Sequence, residues 1–154
     1  MLKYRMDQSH YQISKPHLLP RAEQEKHAMN FCEGNENYRK FLLRLWGSGV
    51  DTYAGCGGIL ENHEPEWHYA SFAYIAIRCL PETKDLLDKF VVNLRKQKFH
   101  ERYVLKIENE SIILRIESLR RIGKLDHDIR FTKQECENFF KELIKTFDAT
   151  IKRG

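Results

Sequence analysis

The stretch Trp46-Gly47-Ser48-Gly49-Val50-Asp51-Thr52-Tyr53-Ala54-Gly55-Cys56-Gly57-Gly58 holds five of the chain's eight glycines and one of its four cysteines. Such a cluster between two patterned segments suits left-handed turns or a close approach of the backbone to a ligand. Successive backbone N–H groups in a turn of this kind can cradle an anion, and Thr52 and Tyr53 would add hydroxyls. No lysine and Ser/Thr pair follows the glycines, which excludes a Walker-type phosphate loop. A dinucleotide fingerprint follows a strand and opens a helix, whereas this stretch follows a helical pattern. The expected binding site is a glycine-rich loop over residues 52–58: Thr52, Tyr53, Gly55, Cys56, Gly57 and Gly58, joined by Trp67 and His68. Its expected occupant is small and anionic or nucleotide-like.

Cys56 is also the candidate nucleophile, with His63 and His68 as nearby bases. A thiol becomes catalytic when its surroundings lower its pKa. The spacing does not fix that geometry, so an unreactive, packed thiol competes with the catalytic reading. Structural zinc sites bring cysteines in close pairs. Cys32, Cys56, Cys79 and Cys136 form no C-x-x-C pair, and no metal is expected.

A second surface is basic. Arg95, Lys96, Lys98 and Arg102, with Arg120 and Arg121 further on, could form one patch beside a hairpin. Phosphate contacts need such a surface, and Tyr103 or Trp67 could stack on a base. Interspersed Asp and Glu make a solvated face the competing reading. RNA is thus the second partner class. An RNA- or nucleotide-modifying enzyme is the alternative function, and a protein-interaction module is the third.

These residues must be positioned by a fold. With 154 residues, 42% hydrophobic and 31% charged, the chain can bury a sizeable core and is not a disordered sequence. A net charge of +4 is compatible with a polyanionic partner without requiring one. No apolar run approaches a membrane span and no secretory pattern opens the chain. Free thiols in the cytoplasm are therefore expected. Residues 1–20, with Pro16 and Pro20, read as an N-terminal arm, and residues 21–154 as a single α+β domain.

A weak helical pattern begins at Arg21, with Ala22, Ala28, Met29 and Cys32 on its apolar side. Asn35 suits an N-cap. Tyr38, Phe41, Leu42, Leu45 and Trp46 then form one helical stripe, ended by Gly47 and Gly49. Trp67 to Leu80 reads as a central strand, apolar on both faces. Pro81-Glu82-Thr83 opens a helix striped by Leu86, Leu87, Phe90, Val91 and Leu94. Alternation around Tyr103–Ile107 and Ser111–Glu117 gives a hairpin turning at Asn109. Residues 118–130, with Gly123 and Asp126-His127-Asp128, read as irregular. Thr132 and Glu135 make a capping box for a last helix carrying Cys136, Phe139, Phe140, Leu143, Phe147 and Ile151. The order α-α-β-α-β-β-α gives helices packed on a sheet of at least three strands.

Two resemblances follow from the motifs. Phe31-Cys32-Glu33-Gly34-Asn35, then Leu42-Leu43-x-x-Trp46-x-x-Gly49-Val50-x-Thr52, then Cys56-x-Gly58 resemble a family of uncharacterised small bacterial proteins. That family's pattern is F-x-E-G-N, L-L-x-x-W-x-x-G-I-x-T and C-x-G-H; here Ile59 replaces the final histidine. The resemblance implies a bacterial source and no particular activity. Thr52-x-x-x-Cys56-x-Gly58 before a strand is also faintly similar to the tRNA wybutosine-synthesis methyltransferase family. That likeness implies an RNA substrate and S-adenosylmethionine, with Ile59 replacing the motif's arginine. The residues by themselves name no cofactor.

Overall fold

The computed structural model describes residues 15–32, 34–58, 69–70, 73–116 and 131–153. Among these residues, five helices and a four-stranded antiparallel sheet make the architecture α+β. A short 3-10 turn, Pro16–Leu18, precedes α1 (Arg21–Cys32) and α2 (Glu36–Gly47). Strands β1 (Asp51–Cys56), β2 (Tyr69–Ala70) and β3 (Ala73–Arg78) follow. After a 3-10 turn at Pro81–Thr83 come α3 (Lys84–Lys96) and the four-residue α4 (Phe99–Arg102). The hairpin is β4 (Val104–Glu108) and β5 (Ser111–Ile116), and β6 (Phe131–Thr132) leads into α5 (Lys133–Arg153).

The helix boundaries follow from capping chemistry. The Asn35 side chain accepts from the backbone N–H of Tyr38 at 3.1 Å, opening α2. At its other end Gly49 takes φ +82, and the Val50 N–H returns to the Leu45 carbonyl at 2.9 Å. The capping box of α5 closes reciprocally: Glu135 N–H donates to Thr132 Oγ1 at 3.0 Å, and Thr132 N–H to Glu135 Oε1 at 2.8 Å. The hairpin turns at Asn109 with φ +41, a left-handed value that asparagine tolerates.

The sheet order is β1-β3-β5-β4, so among the described residues β3 and β5 are interior and β1 and β4 are the edges. Residues paired across antiparallel strands share a face. Ala73, Ile75 and Ile77 pair with Ile116, Leu114 and Ile112, and all six are buried in the main core. Against that face lie α2, α3 and α5, contributing Phe41, Trp46, Phe90, Phe140 and Phe147. The opposite face carries Tyr74, Ala76 and Arg78 opposite Arg115, Ile113 and Ser111.

Several expectations need correction. The segment read as a loop is largely strand β1, buried except at Tyr53 and paired with β3. Its alternation is hidden by a bulge: Thr52 pairs with Ile77 and Ala54 with Ala76, leaving Tyr53 as the extra residue. The single strand Trp67–Leu80 is divided among the described residues, because β2 pairs with β6 in a separate two-stranded sheet. Met29 is exposed, and the buried positions of α1 include Ala28 and Gln24. Gln24 lies inside because its Nε2 donates to the Pro16 carbonyl at 3.1 Å, tying the first turn to α1. The short α4 had no sequence signal beyond Phe99, which is fully buried.

Phe147 stands edge-on to Phe90 at 5.2 Å and to Phe41 at 6.1 Å, so it joins α5 to α3 and α2 at once. Phe147→Ala should cost about 3–5 kcal/mol in urea unfolding. Ile151→Ala, on the same stripe but 42% exposed, should cost under about 1 kcal/mol.

Candidate functional site

The structure disperses the expected loop site. Thr52 is buried and its Oγ1 accepts from Trp46 Nε1 at 2.9 Å, a bond between β1 and α2 within the core. Tyr53 lies on the sheet's other side, its hydroxyl donating to Ser111 Oγ at 3.1 Å. Gly55 and Cys56 are buried strand residues. The Gly57 carbonyl accepts from Asn35 Nδ2 at 2.7 Å, so the α2 cap also fixes the exit of β1. Trp67, His68 and His63 lie outside the described residues, so the Cys56–histidine arrangement does too. Among the described residues no three metal-ligating side chains cluster.

Gly58 has a packing reason for being glycine. Its φ is +92, and an added Cβ would lie 2.7 Å from Cys136 Sγ and 3.0 Å from Cys136 Cβ. The thiol of Cys136 fills the space that any side chain at 58 would need. Burial first, then neighbouring Cys56 and the Glu135 and Glu137 carboxylates, pushes the Cys136 pKa up to about 12. A thiol held protonated to that degree is no nucleophile at neutral pH.

A polar cluster unanticipated from the sequence lies at the opposite end of β1. Asp51, buried at the start of the strand, has His17 Nδ1 at 3.2 Å and Arg78 Nε at 3.1 Å. The His17 contact has ion-pair distance without hydrogen-bond alignment. Arg78 also lies over the Tyr53 ring at 4.9 Å. The cluster clamps the Pro16–Leu18 turn onto the sheet edge, and Arg78 offsets the charge of a buried carboxylate that would otherwise be costly.

The basic residues divide. Arg102 is held by Glu142, by the Gln97 carbonyl at 3.0 Å and by the Tyr103 ring, which makes it a brace between α4 and α5. Arg95, Lys96 and Lys98 are exposed at the end of α3. Arg120 and Arg121 lie outside the described residues.

Arg95 belongs to a groove of about 590 Å³ between α3 and the β4–β5 hairpin. Lys84, Asp88, Val91, Val92 and Arg95 share one helical face along it. Ile107 and Ile112 come from the hairpin, and Cys79 and Leu80 close one end. Val92 and Ile107, both lining this groove, are about half exposed, 50% and 51%. Lys84 is paired with Asp88 at 2.8 Å, while Arg95 has no ion-pair partner among the described residues. The Cys79 thiol is pushed up, by burial first and then by Asp88. Its backbone N–H donates to the Glu110 carbonyl at 2.7 Å, which fixes the hairpin turn beside it. The sequence signal for this groove was the doublet Val91-Val92: one valine belongs to the core stripe, and the other is surplus to it.

Comparisons with protein-family models, with curated proteins and with solved structures give no match. Neither motif resemblance gains support from them, and only the geometry bears on the site.

Two outcomes follow for the glycine–thiol contact. Gly58→Ala should cost about 1–3 kcal/mol through overpacking and backbone strain. Adding Cys136→Ala should recover part of that loss in the same urea titration, because the close sulfur is removed while the positive φ remains. Between pH 9 and 12 the folded chain keeps the Cys136 proton that the unfolded chain releases. Stability attributable to this thiol should therefore fall as pH rises, by about 1.4 kcal/mol per unit. Cys136→Ala should flatten the alkaline limb of the stability–pH curve by that amount.

Proposed function

We propose that this domain binds a small amphipathic anion of nucleotide-like size in the groove between α3 and the β4–β5 hairpin. The expected class of ligand is kept and its place is moved, because the side chains of Thr52, Tyr53 and Cys56 are engaged or buried within the fold. The observation carrying this reading is the combination of a largely apolar groove of about 590 Å³ with an arginine at its side that has no ion-pair partner among the described residues. Small-molecule sites commonly fall between 300 and 1,000 Å³, with apolar walls and a few polar groups setting orientation. Val92, Ile107 and Ile112 would meet the apolar body of the ligand, and Arg95 its charged end. Lys84 and Asp88 offset one another and leave Arg95 as the net cation on the helical wall, while Glu110 lines the groove from the hairpin turn.

The test is a thermal-shift panel of nucleotides, S-adenosylmethionine, medium-chain carboxylates and short RNA, with Cys79 alkylation followed in parallel by peptide mass mapping. A ligand at a hundred times its Kd adds about 2.7 kcal/mol of stability, and should slow alkylation of Cys79. Arg95→Glu and Val92→Glu should each abolish both effects while leaving the circular dichroism spectrum unchanged. A shift that survives both substitutions places the ligand elsewhere.

A further inference from the structure

The sheet treats its two edges differently. The β1 edge is mostly buried and is flanked at its two ends by the Pro16–Leu18 turn, through His17 and Asp51, and by the Asn35–Gly57 bond. The β4 edge, Val104–Glu108, has no strand beyond it among the described residues and becomes exposed from Lys106 onward. An open edge is a template for another strand. Its usual protection is charge of one sign, which repels a second copy. Here Lys106 and Glu108 flank the half-exposed Ile107, one charge of each sign on the same side of the strand, 2.7 Å apart within the chain.

That arrangement is self-complementary about Ile107. In an antiparallel pair centred there, each Ile107 meets its own copy. Lys106 of each chain then falls opposite Glu108 of the other, twice by symmetry. The backbone agrees with this register. Glu108 and Ser111 close a two-residue hairpin, so they exchange the ladder bonds with each other. The alternate residues Leu105 and Ile107 therefore direct their N–H and C=O groups toward the open side. Centring on Lys106 instead would set two lysines face to face.

We propose that β4 is a dimerisation edge, pairing antiparallel with β4 of a second copy of this chain about Ile107 into a continuous eight-stranded sheet. The inference goes beyond the ligand groove and does not need a ligand in it. It is tested by sedimentation velocity on the full chain and its variants over a concentration series. The wild type should sediment as a dimer. Lys106→Glu and Glu108→Lys each set like charges opposite one another at both symmetric positions, and each should weaken association about tenfold or more. Mixed in equal amounts, these two variants should form heterodimers, since every cross-chain contact is then Glu opposite Lys. A purely local role of the Lys106–Glu108 pair predicts no such rescue on mixing. A monomeric wild type overturns the proposal, as does a dimer insensitive to both substitutions or a mixture that stays monomeric. Both substitutions lie at exposed positions, and circular dichroism confirms that each variant is folded. Arg95→Glu should leave the dimer intact, so failure of the groove and failure of the edge are separately visible.

Discussion

The fold depends on a stack of phenylalanines between three helices. Phe41 from α2, Phe90 from α3 and Phe140 and Phe147 from α5 are fully buried and within 4.9 to 6.4 Å of an aromatic neighbour, in tilted or edge-on geometry. Each ring brings large apolar area and prefers such orientations over flat stacking. Because the helices belong to separate parts of the chain, this stack fixes where the segments between them must run. The α2 helix then delivers β1 to the sheet edge through Trp46 and Thr52, and α3 delivers its outer face to the β4–β5 hairpin. Polar bonds finish the assembly: Asn93 donates to Thr150 at 2.9 Å, and Arg44 meets Asp148 at 2.9 Å, joining α5 to α3 and α2.

The helical stripes were legible because a 3.6-residue period survives as long as the buried face is large. Tyr38 to Trp46, Leu87 to Leu94 and Cys136 to Phe147 all reached the core as their spacing required. The caps at Asn35 and Thr132 were legible because a side chain reaching three residues ahead is a local event. Strand β1 was not. Its residues Ala54, Gly55 and Cys56 are small, and the bulge at Tyr53 removes the period of two that would reveal a strand. Composition pointed to a loop, and pairing with β3 overrode it. At Gly58, just beyond the strand, glycine marks close packing, since an added Cβ would lie 2.7 Å from Cys136 Sγ, and the same residue type would also suit a position beside a ligand.

The groove was illegible for a different reason. Its walls come from Cys79, from α3 and from the hairpin, and none carries a motif. Only the fold shows that the second valine of Val91-Val92 and the isoleucine of β4 line a common space. Spacing can state that a helix has one apolar residue too many for its core stripe. It cannot state what that residue faces. The Asp51 cluster illustrates the same limit: His17 and Arg78 are far from Asp51 in different directions along the chain, and the antiparallel register of β1 with β3 is what brings Arg78 opposite it.

The asymmetry of the sheet organises these observations. On the β1 side, buried charge is matched by neighbours, a capping asparagine is used twice, and the thiol of Cys136 occupies the space above a glycine. The side chains of Thr52, Asn35 and Cys136 there are taken up by contacts within the fold. On the β4 side the reverse holds: Val92 and Ile107 are half exposed, Arg95 is unpaired among the described residues, and an edge strand ends in charges of both signs. Exposed aliphatic area costs about 25 cal/mol per Å² relative to burial. Val92 and Ile107 line one groove at the junction of α3 and β4, whereas the other exposed large apolar residues, Leu18, Met29 and Ile151, lie on separate elements. It is this shared groove, and not exposure alone, on which the proposed ligand site rests.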